Sequence, residues 1–561
     1  MMKTQLYAVF IITLSLSFTT FAATLDWWED ASLYQIYPRS WKDSDGNGIG
    51  DLQGATEKLD YLKEIGITAA WLSPVFKSPM VDNGYDISNF TEIDPIFGTL
   101  EDFDALIEKS KEIGVKLILD FVPNHSSDEC EWFKKSVNRE DGYDDFYVWA
   151  DGLNDPQNPG QKLPPSNWVS VFGGPMWTWN EKRQQFFLHQ FLPQQPDFNF
   201  RDEKVHEKLF DVLKFWLDRG VDGFRIDAVP HMYEKVFENG TYPDEDPNNH
   251  INTQNQYETV ELLYSWRNFL DNYQKENGGD TRVLLAEAYS PIEWLDKITG
   301  NGTHNGVHVP FNFAFLQLNL TVNARNIETL VDSWMNVMWK KHQTANWLTG
   351  NHDKDRIIER VGENKTDLMY FLLTGLPGVT ITYNGEEIGM SNVATCQNCS
   401  IAEERNNARS PFQWNNDTSA GFSSSNNTWL PISNNYTKVN VQNQLSSKKS
   451  PLRLFIALQK LMATPAFKAF KDKDGFSYAA VNENVFQIIR RSSDEEYRFL
   501  INFGDNEEDI GGILRSGNEN SLFEYTVVSR NSPHAIGDTV KLADIKLMPV
   551  EGVALKRVDE N

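Results

Sequence analysis

At 561 residues and a formal charge of −27, the chain is long enough for about two to four domains, and its acidity argues against nucleic acid or anionic membranes as partners. Its three cysteines are too few to hold such a chain together, so the fold has to rest on buried apolar cores.

The first two dozen residues carry Lys3, an apolar run from Tyr7 to Phe18 and small residues at Ala22 and Ala23, the layout of a cleaved secretory signal over residues 1–22. That run is shorter than the roughly 20 residues needed to span a bilayer. No second stretch of spanning length follows, so the mature chain is expected to be secreted, extracellular and without a membrane anchor. Asn-x-Ser/Thr triplets at Asn89, Asn239, Asn301, Asn319, Asn364, Asn398, Asn416, Asn426 and Asn435 agree with a secretory route. The triplet at Asn124 falls inside an expected active-site strand and should stay unmodified.

From Tyr34 to about Lys468, short apolar or β-branched runs alternate with longer amphipathic stretches, the βα pattern of a parallel sheet closed by helices. The expected strands are Tyr34 to Tyr37, Thr68 to Leu72, Leu117 to Val122, Gly223 to Asp227, Val283 to Ala288, Phe311 to Phe315, Ala345 to Leu348 and Val379 to Tyr383. Eight is the barrel number. Helices are expected at Leu100 to Ile113 and Glu207 to Leu217.

After the first strand, Asp43-Ser-Asp-Gly-Asn-Gly-Ile-Gly-Asp51 sets Asp43, Asp45, Asn47 and Asp51 at loop positions 1, 3, 5 and 9. The Ile49 carbonyl falls at position 7, as in a calcium loop. Gly54 stands where an EF-hand has Glu, and no helix pair flanks the loop, so an EF-hand is excluded and an Asx-rich turn remains the alternative.

Residues 126–200, rich in Trp, Pro, Gly and Asn, are too long for a plain loop and read as a domain inserted after the third strand. The barrel then comprises residues 23–125 and 201–474. An Asn- and Ser-rich excursion from about Glu386 to Ser450 follows strand eight as a lid or rim. Within it Cys396 and Cys399 suit a small loop disulfide, since two thiols cannot make a four-ligand zinc site. Cys130 is left as a free thiol. Alternating segments in residues 475–561, such as Val485 to Ile489 and Tyr497 to Asn502, predict a C-terminal antiparallel β-sandwich. The fold class is therefore α/β, a (β/α)8 TIM barrel with these two additions.

Catalysis in such a barrel sits at the C-terminal strand ends. Asp120, Asn124 and His125 end strand three, Arg225 and Asp227 end strand four, Glu287 ends strand five, and His352 and Asp353 follow strand seven. Arg225 and Asp227 are two apart on an extended segment and point the same way. The guanidinium is expected to lower the Asp227 pKa, as a carboxylate nucleophile requires, while Glu287, on the apolar Val283-Leu-Leu-Ala run, should be raised and suit proton donation. Opposed carboxylates of this kind are a glycosidase arrangement, retaining if they lie about 5 to 5.5 Å apart. Any one of these residues alone would read as a structural salt bridge.

Asp120-Phe-Val-Pro-Asn-His125, Gly223-Phe-Arg-Ile-Asp227, Glu287 and Asn351-His-Asp353 resemble, in order and spacing, the signature segments of glycoside hydrolase family 13, the α-amylase family. Gln195-Pro-Asp-Phe-Asn199 resembles the fifth segment of its α-glucosidase branch, with Phe198 where that branch more often has Leu. The resemblance, nearest to secreted insect maltases, implies Asp227 as nucleophile, Glu287 as acid/base and Asp353 as stabiliser of an oxocarbenium-like sugar. It implies that His125, Arg225 and His352 bond the bound glucose, that Tyr85 stacks under its ring, and that Asp82 with Arg409 grips its terminal hydroxyls and makes cleavage exo-acting. Ala228, directly after the nucleophile, resembles α-1,4 cleavers, where α-1,6 cleavers carry Val. Maltose, sucrose and short maltooligosaccharides are the implied substrates, and one structural Ca2+ is implied in the loop Asp43 to Asp51. The rival readings are a noncatalytic transporter heavy chain on the same barrel, which needs a spanning segment, and a transglucosylase or isomerase sharing the covalent intermediate. Oligomeric state is not legible in the sequence.

Overall fold

The computed structural model describes residues 25–558 except 238, 339, 340, 342, 397, 398, 473 and 513–519. The expected signal segment and the triplet at Asn398 lie outside the described residues. Eight parallel strands form one sheet: β1 Ser32–Ile36, β2 Ala69–Leu72, β3 Lys116–Phe121, β4 Gly223–Ile226, β5 Val283–Ala286, β6 Val309–Pro310, β7 Asn346–Leu348 and β8 Val379–Tyr383. Their order is β6-β5-β4-β3-β2-β1-β8-β7, which is a barrel with one seam, between β6 and β7.

That seam is sealed by a side chain. Asn346, fully buried, donates from Nδ2 to the Pro310 carbonyl at 2.6 Å and accepts at Oδ1 from the Asn312 amide at 2.8 Å. One amide thus replaces two ladder bonds where Pro310 has no N–H to give. The sixth strand also lies earlier than the expected Phe311 to Phe315. Asn312 caps a 3-10 turn over Phe313–Gln317, its side chain accepting from the Ala314 amide, and this ends the extended run.

The two-residue period of the strands explains the interior. Leu33, Ala69, Ile118, Val283, Leu285, Val309 and Ile381 turn inward as an apolar plug at the barrel's lower end. Further along the same strands, the same face presents Gln35, Trp71, Asp120 and Arg225. Intervening residues such as Tyr34, Ile36, Leu117, Leu119, Phe224 and Ile226 face the helices and join the main core. Those helices are well capped: Asp51 accepts from Gly54 at the start of α1 (Leu52–Glu64), and Thr99 with Asp102 forms a capping box on α2 (Leu100–Ile113). α3 is longer than expected, Glu203–Arg219, because Asp202 caps it one turn earlier.

The insertion carries its own three-stranded antiparallel sheet, with Trp177–Asn180 and Gln185–Leu188 paired, over a core of Val148, Trp168, Met176 and Trp177. It returns to the barrel through a bridge between His125 and Asp197 and a bond from the Phe198 amide to the Asn124 carbonyl. Phe198 packs among Phe90, Trp132, Phe146 and Tyr147 and does not line the cavity at the barrel's C-terminal end. The C-terminal region is a six-stranded antiparallel sheet between Phe476 and Arg557. One face packs on the helix Thr366–Gly375 through Phe371 and Phe499. The other is covered by Ile510, Leu542, Ile545 and Leu547 around a ribbon of two-residue strands, so the second layer of the expected sandwich is short.

Candidate active site

Register places the charges. β4 pairs with β3 so that Arg225 lies beside Asp120, and the ladder continues past the strand ends through Asp227 N to Phe121 O and Glu287 N to Ile226 O. Arg225, 2% exposed, therefore sits among three carboxylates. Its Nη1 reaches Asp120 Oδ1 at 2.9 Å and Asp227 Oδ1 at 2.6 Å, and its Nη2 reaches Glu287 Oε2 at 2.7 Å. The guanidinium lies 4.7 Å from the Trp71 ring centre, while Trp71 Nε1 and the Tyr85 hydroxyl donate to Asp120 Oδ2. Asp227 and Glu287 thus contact the two Nη nitrogens of one guanidinium.

One positive charge cannot hold three buried carboxylates ionised. Burial pushes Glu287 up to about 8, opposed by Arg225 and assisted by the charges of Asp227 and Asp353. Burial also lifts Asp227 to about 6, against Arg225 and with Asp120 adding to the rise. The expected lowering of Asp227 is thus reversed: desolvation outweighs the guanidinium. The order survives, and it is the order that matters, since between about 6 and 8 the pair carries an ionised Asp227 and a protonated Glu287. kcat/KM should accordingly rise as pH passes about 6 and fall as it passes about 8. A profile without the upper limb would remove the proton-donor role of Glu287.

Ala228 occupies the left-handed region at φ 50°, which turns its N–H onto Glu287 Oε2 at 3.1 Å. Both carboxylates and Ala228 line a cavity of about 530 Å³ at the C-terminal end of the barrel. Tyr85, His125, His352, Asp353 and Asp82 line it too, so the strand ends bring together all but two of the expected sugar-binding and catalytic residues. Those two, Arg225 and Arg409, lie behind the wall. Tyr85 sets its ring parallel to His352, 5.3 Å between centres, and His125 Nε2 lies 3.1 Å from both Tyr85 O and Gln195 Nε2. Asn124 is 1% exposed, which keeps its triplet out of reach of a modifying enzyme in the folded chain.

The far end is built differently from the expectation. Asp82 pairs with Arg405, not Arg409: Arg405 Nη2 reaches Asp82 Oδ1 at 2.6 Å and its Nη1 reaches Asp353 Oδ1 at 3.1 Å. Arg409 is fully buried, donating to Asp353 Oδ1 at 2.8 Å and to the His352 carbonyl at 2.8 Å. Burial alone would raise Asp353, but His352, Arg405, Arg409 and Arg225 outweigh it and hold this carboxyl well below the usual range. Sequence reasoning missed Arg405. The only signal was its spacing, four before Arg409 across a 3-10 turn, and nothing local distinguishes the two. Also missed were Phe172 and Phe191 from the insertion and Tyr289 after β5, aromatic residues that line the cavity. Phe172 docks on Arg405, 4.8 Å from ring centre to guanidinium.

The loop Asp43 to Asp51 gathers the carboxylates of Asp43, Asp45 and Asp51 within 4.8 Å of one another. Asp43 and Asp51 are buried, and this all-oxygen set suits a hard cation. Asn47 bonds Asp45 through its amide and accepts the Ile49 N–H. Gly48, at φ 91°, is required, because a Cβ there would stand 2.0 Å from the Asn427 carbonyl. Cys396 and Cys399 are disulfide-bonded, and Cys130 is a buried free thiol.

Residues 35–468 match the alpha amylase catalytic domain family. The chain is 56% identical to Maltase A2 of Drosophila melanogaster over 95% of its own length and 96% of that protein. It is 46% identical to the salivary alpha-glucosidase of Aedes aegypti over 81% of this chain and 82% of the relative. Among solved structures, the trehalulose synthase of Pseudomonas mesoacidophila superposes with a TM-score of 0.81 at 28% identity, covering 95% of this chain and all of that one.

Proposed function

The chain belongs to the α-amylase family and is a glycoside hydrolase, and we propose that it is an exo-acting, retaining α-glucosidase releasing terminal α-1,4-linked glucose from maltose, sucrose and short maltooligosaccharides. The support for this reading is a cavity lined by Asp227 and Glu287, which share the Arg225 guanidinium behind its wall, and by the ion-paired Asp82 and Arg405, which we read as closing its far end. A polymer chain could not thread past that pair. Asp227 attacks the anomeric carbon as Glu287 gives its proton to the departing glycosidic oxygen. Glu287, now a carboxylate, then takes a proton from water, whose oxygen displaces Asp227. Asp353, kept ionised by its arginines, faces the positive charge that develops on the sugar in both steps.

Product analysis on maltose, sucrose, isomaltose and soluble starch tests the proposal. Release of α-glucose from the disaccharides, with little attack on starch, is expected; β-glucose as first product would defeat the retaining mechanism. The likeness to a trehalulose synthase supports the alternative of sugar-to-sugar transfer through the same intermediate, and the same analysis separates the two by free glucose against new disaccharide.

Linkage preference is assigned to Ala228. In Ala228→Val the isomaltose-to-maltose ratio of kcat/KM should rise about tenfold. Ala228→Thr is the control, because a β-branched side chain at φ 50° is strained in either variant and Thr matches Val in shape. An equal ratio in the Val and Thr variants would remove the assignment.

We assign one structural Ca2+ to Asp43, Asp45 and Asp51, with Asn47 and the Ile49 carbonyl completing the set. Bound there, it would fix the loop against the segment 422–429, which Asp43 N and Gly48 O already bond through Phe422 and Trp429. Chelation should lower Tm in the wild type and leave Asp45→Ala unmoved; an identical Tm with and without chelator would exclude the ion. Secretion is supported by the mosquito salivary relatives, and no helix among the described residues is long and apolar enough to cross a membrane.

A further inference from the structure

Gln35 lies on the inner face of β1, 1% exposed. Its Nε2 is 2.8 Å from His352 Nδ1 and 3.1 Å from Ser73 Oγ. A ring nitrogen facing an amide N–H can only accept, so the proton of a neutral imidazole must then sit on Nε2. That nitrogen lies 3.4 Å from Asp353 Oδ2, and His352 forms part of the cavity wall. Three aromatic rings flank the imidazole. Tyr85 stacks parallel to it at 5.3 Å, Tyr37 lies at 5.8 Å, and Trp71 presents an edge at 6.3 Å.

The same contact acts on charge. Asp353 favours a second proton on His352, while burial and the nearby Arg409, Arg225 and Arg405 oppose it and keep the ring neutral. An N–H donor aimed at Nδ1 occupies the position that proton would take. We infer that Gln35 is a positioning residue that holds His352 as the neutral Nε2–H tautomer, so that the ring's one hydrogen points toward a sugar hydroxyl and the Asp353 carboxylate is not screened by an imidazolium. This rests on the glycosidase reading of the site for its consequence, but not for the proton's location.

Neutron diffraction from deuterium-exchanged crystals of the wild type and Gln35→Glu reads the proton directly. Deuterium is expected on Nε2 and not on Nδ1 in the wild type, and on both nitrogens in Gln35→Glu, because a carboxylate accepts but cannot donate. On maltose, Gln35→Glu should lose about tenfold in kcat with KM changed less than about twofold, since a positive ring would oppose the developing oxocarbenium charge. That loss should shrink as pH rises and the imidazolium deprotonates. Gln35→Leu, which offers neither donor nor acceptor, should keep a neutral ring and show no such pH dependence. Deuterium on Nδ1 of the wild type overturns the inference whatever the activities, and suffices even if Gln35→Glu does not fold. A wild type that releases no glucose would sink the glycosidase reading and leave the tautomer assignment standing.

Discussion

Replacing Asp227 by Asn should lower kcat on maltose by about 10⁴-fold or more, equivalent to about 5.5 kcal/mol of lost transition-state stabilisation. The amide keeps an oxygen for Arg225, which lies 2.6 Å from Asp227 Oδ1, so the site keeps its shape. What it loses is the charged oxygen proposed above as the nucleophile. Thermal stability should hold or rise, because three buried carboxylates share one guanidinium here and removing a charge relieves their repulsion. The stereochemical test is sharper than the rate. In Asp227→Gly, added azide occupies the vacated side of the sugar and should yield the β-glucosyl azide. An α-azide, or Asp227→Asn turning over at the wild-type rate, would show that another group attacks the anomeric carbon.

Glu287→Gln should divide substrates by their leaving groups. Maltose departs as a poorly acidic sugar alcohol and needs a proton, so its kcat/KM should fall by about 10³-fold. 4-Nitrophenyl α-glucoside leaves as a stabilised phenolate, and its first step should fall far less. The glucosyl enzyme should then accumulate, because water has lost its base, and azide should speed turnover to the α-glucosyl azide. The upper limb of the pH profile, set by a carboxyl that burial holds near 8, should vanish with it. Equal losses on both substrates would mean that Glu287 positions rather than protonates.

The barrel was legible because its evidence is local. Apolar runs between amphipathic stretches mark the strands, and spacing puts Arg225 and Asp227 on one side of a strand. The strands are buried on both faces, however, so that Leu33, Ala69 and Ile118 line the inside wall is visible only in the fold. The sixth strand was misplaced for a related reason. Phe311 to Phe315 has a strand's composition, and only the Asn312 cap and the Asn346 amide, which closes the seam from 36 residues away, show where extension stops.

What residue types and spacing determined is the inventory: eight strands, carboxylates at their ends and an oxygen-rich loop. What only the folded chain decided is how charge is shared among them. Arg405 reaches Asp82 across 323 residues, and no local rule selects it over Arg409. The Asp227 carboxyl rises rather than falls because its ionisation depends on the total desolvation and on every charge within a few ångströms, quantities that are sums over residues far apart in sequence and are fixed only when the barrel closes.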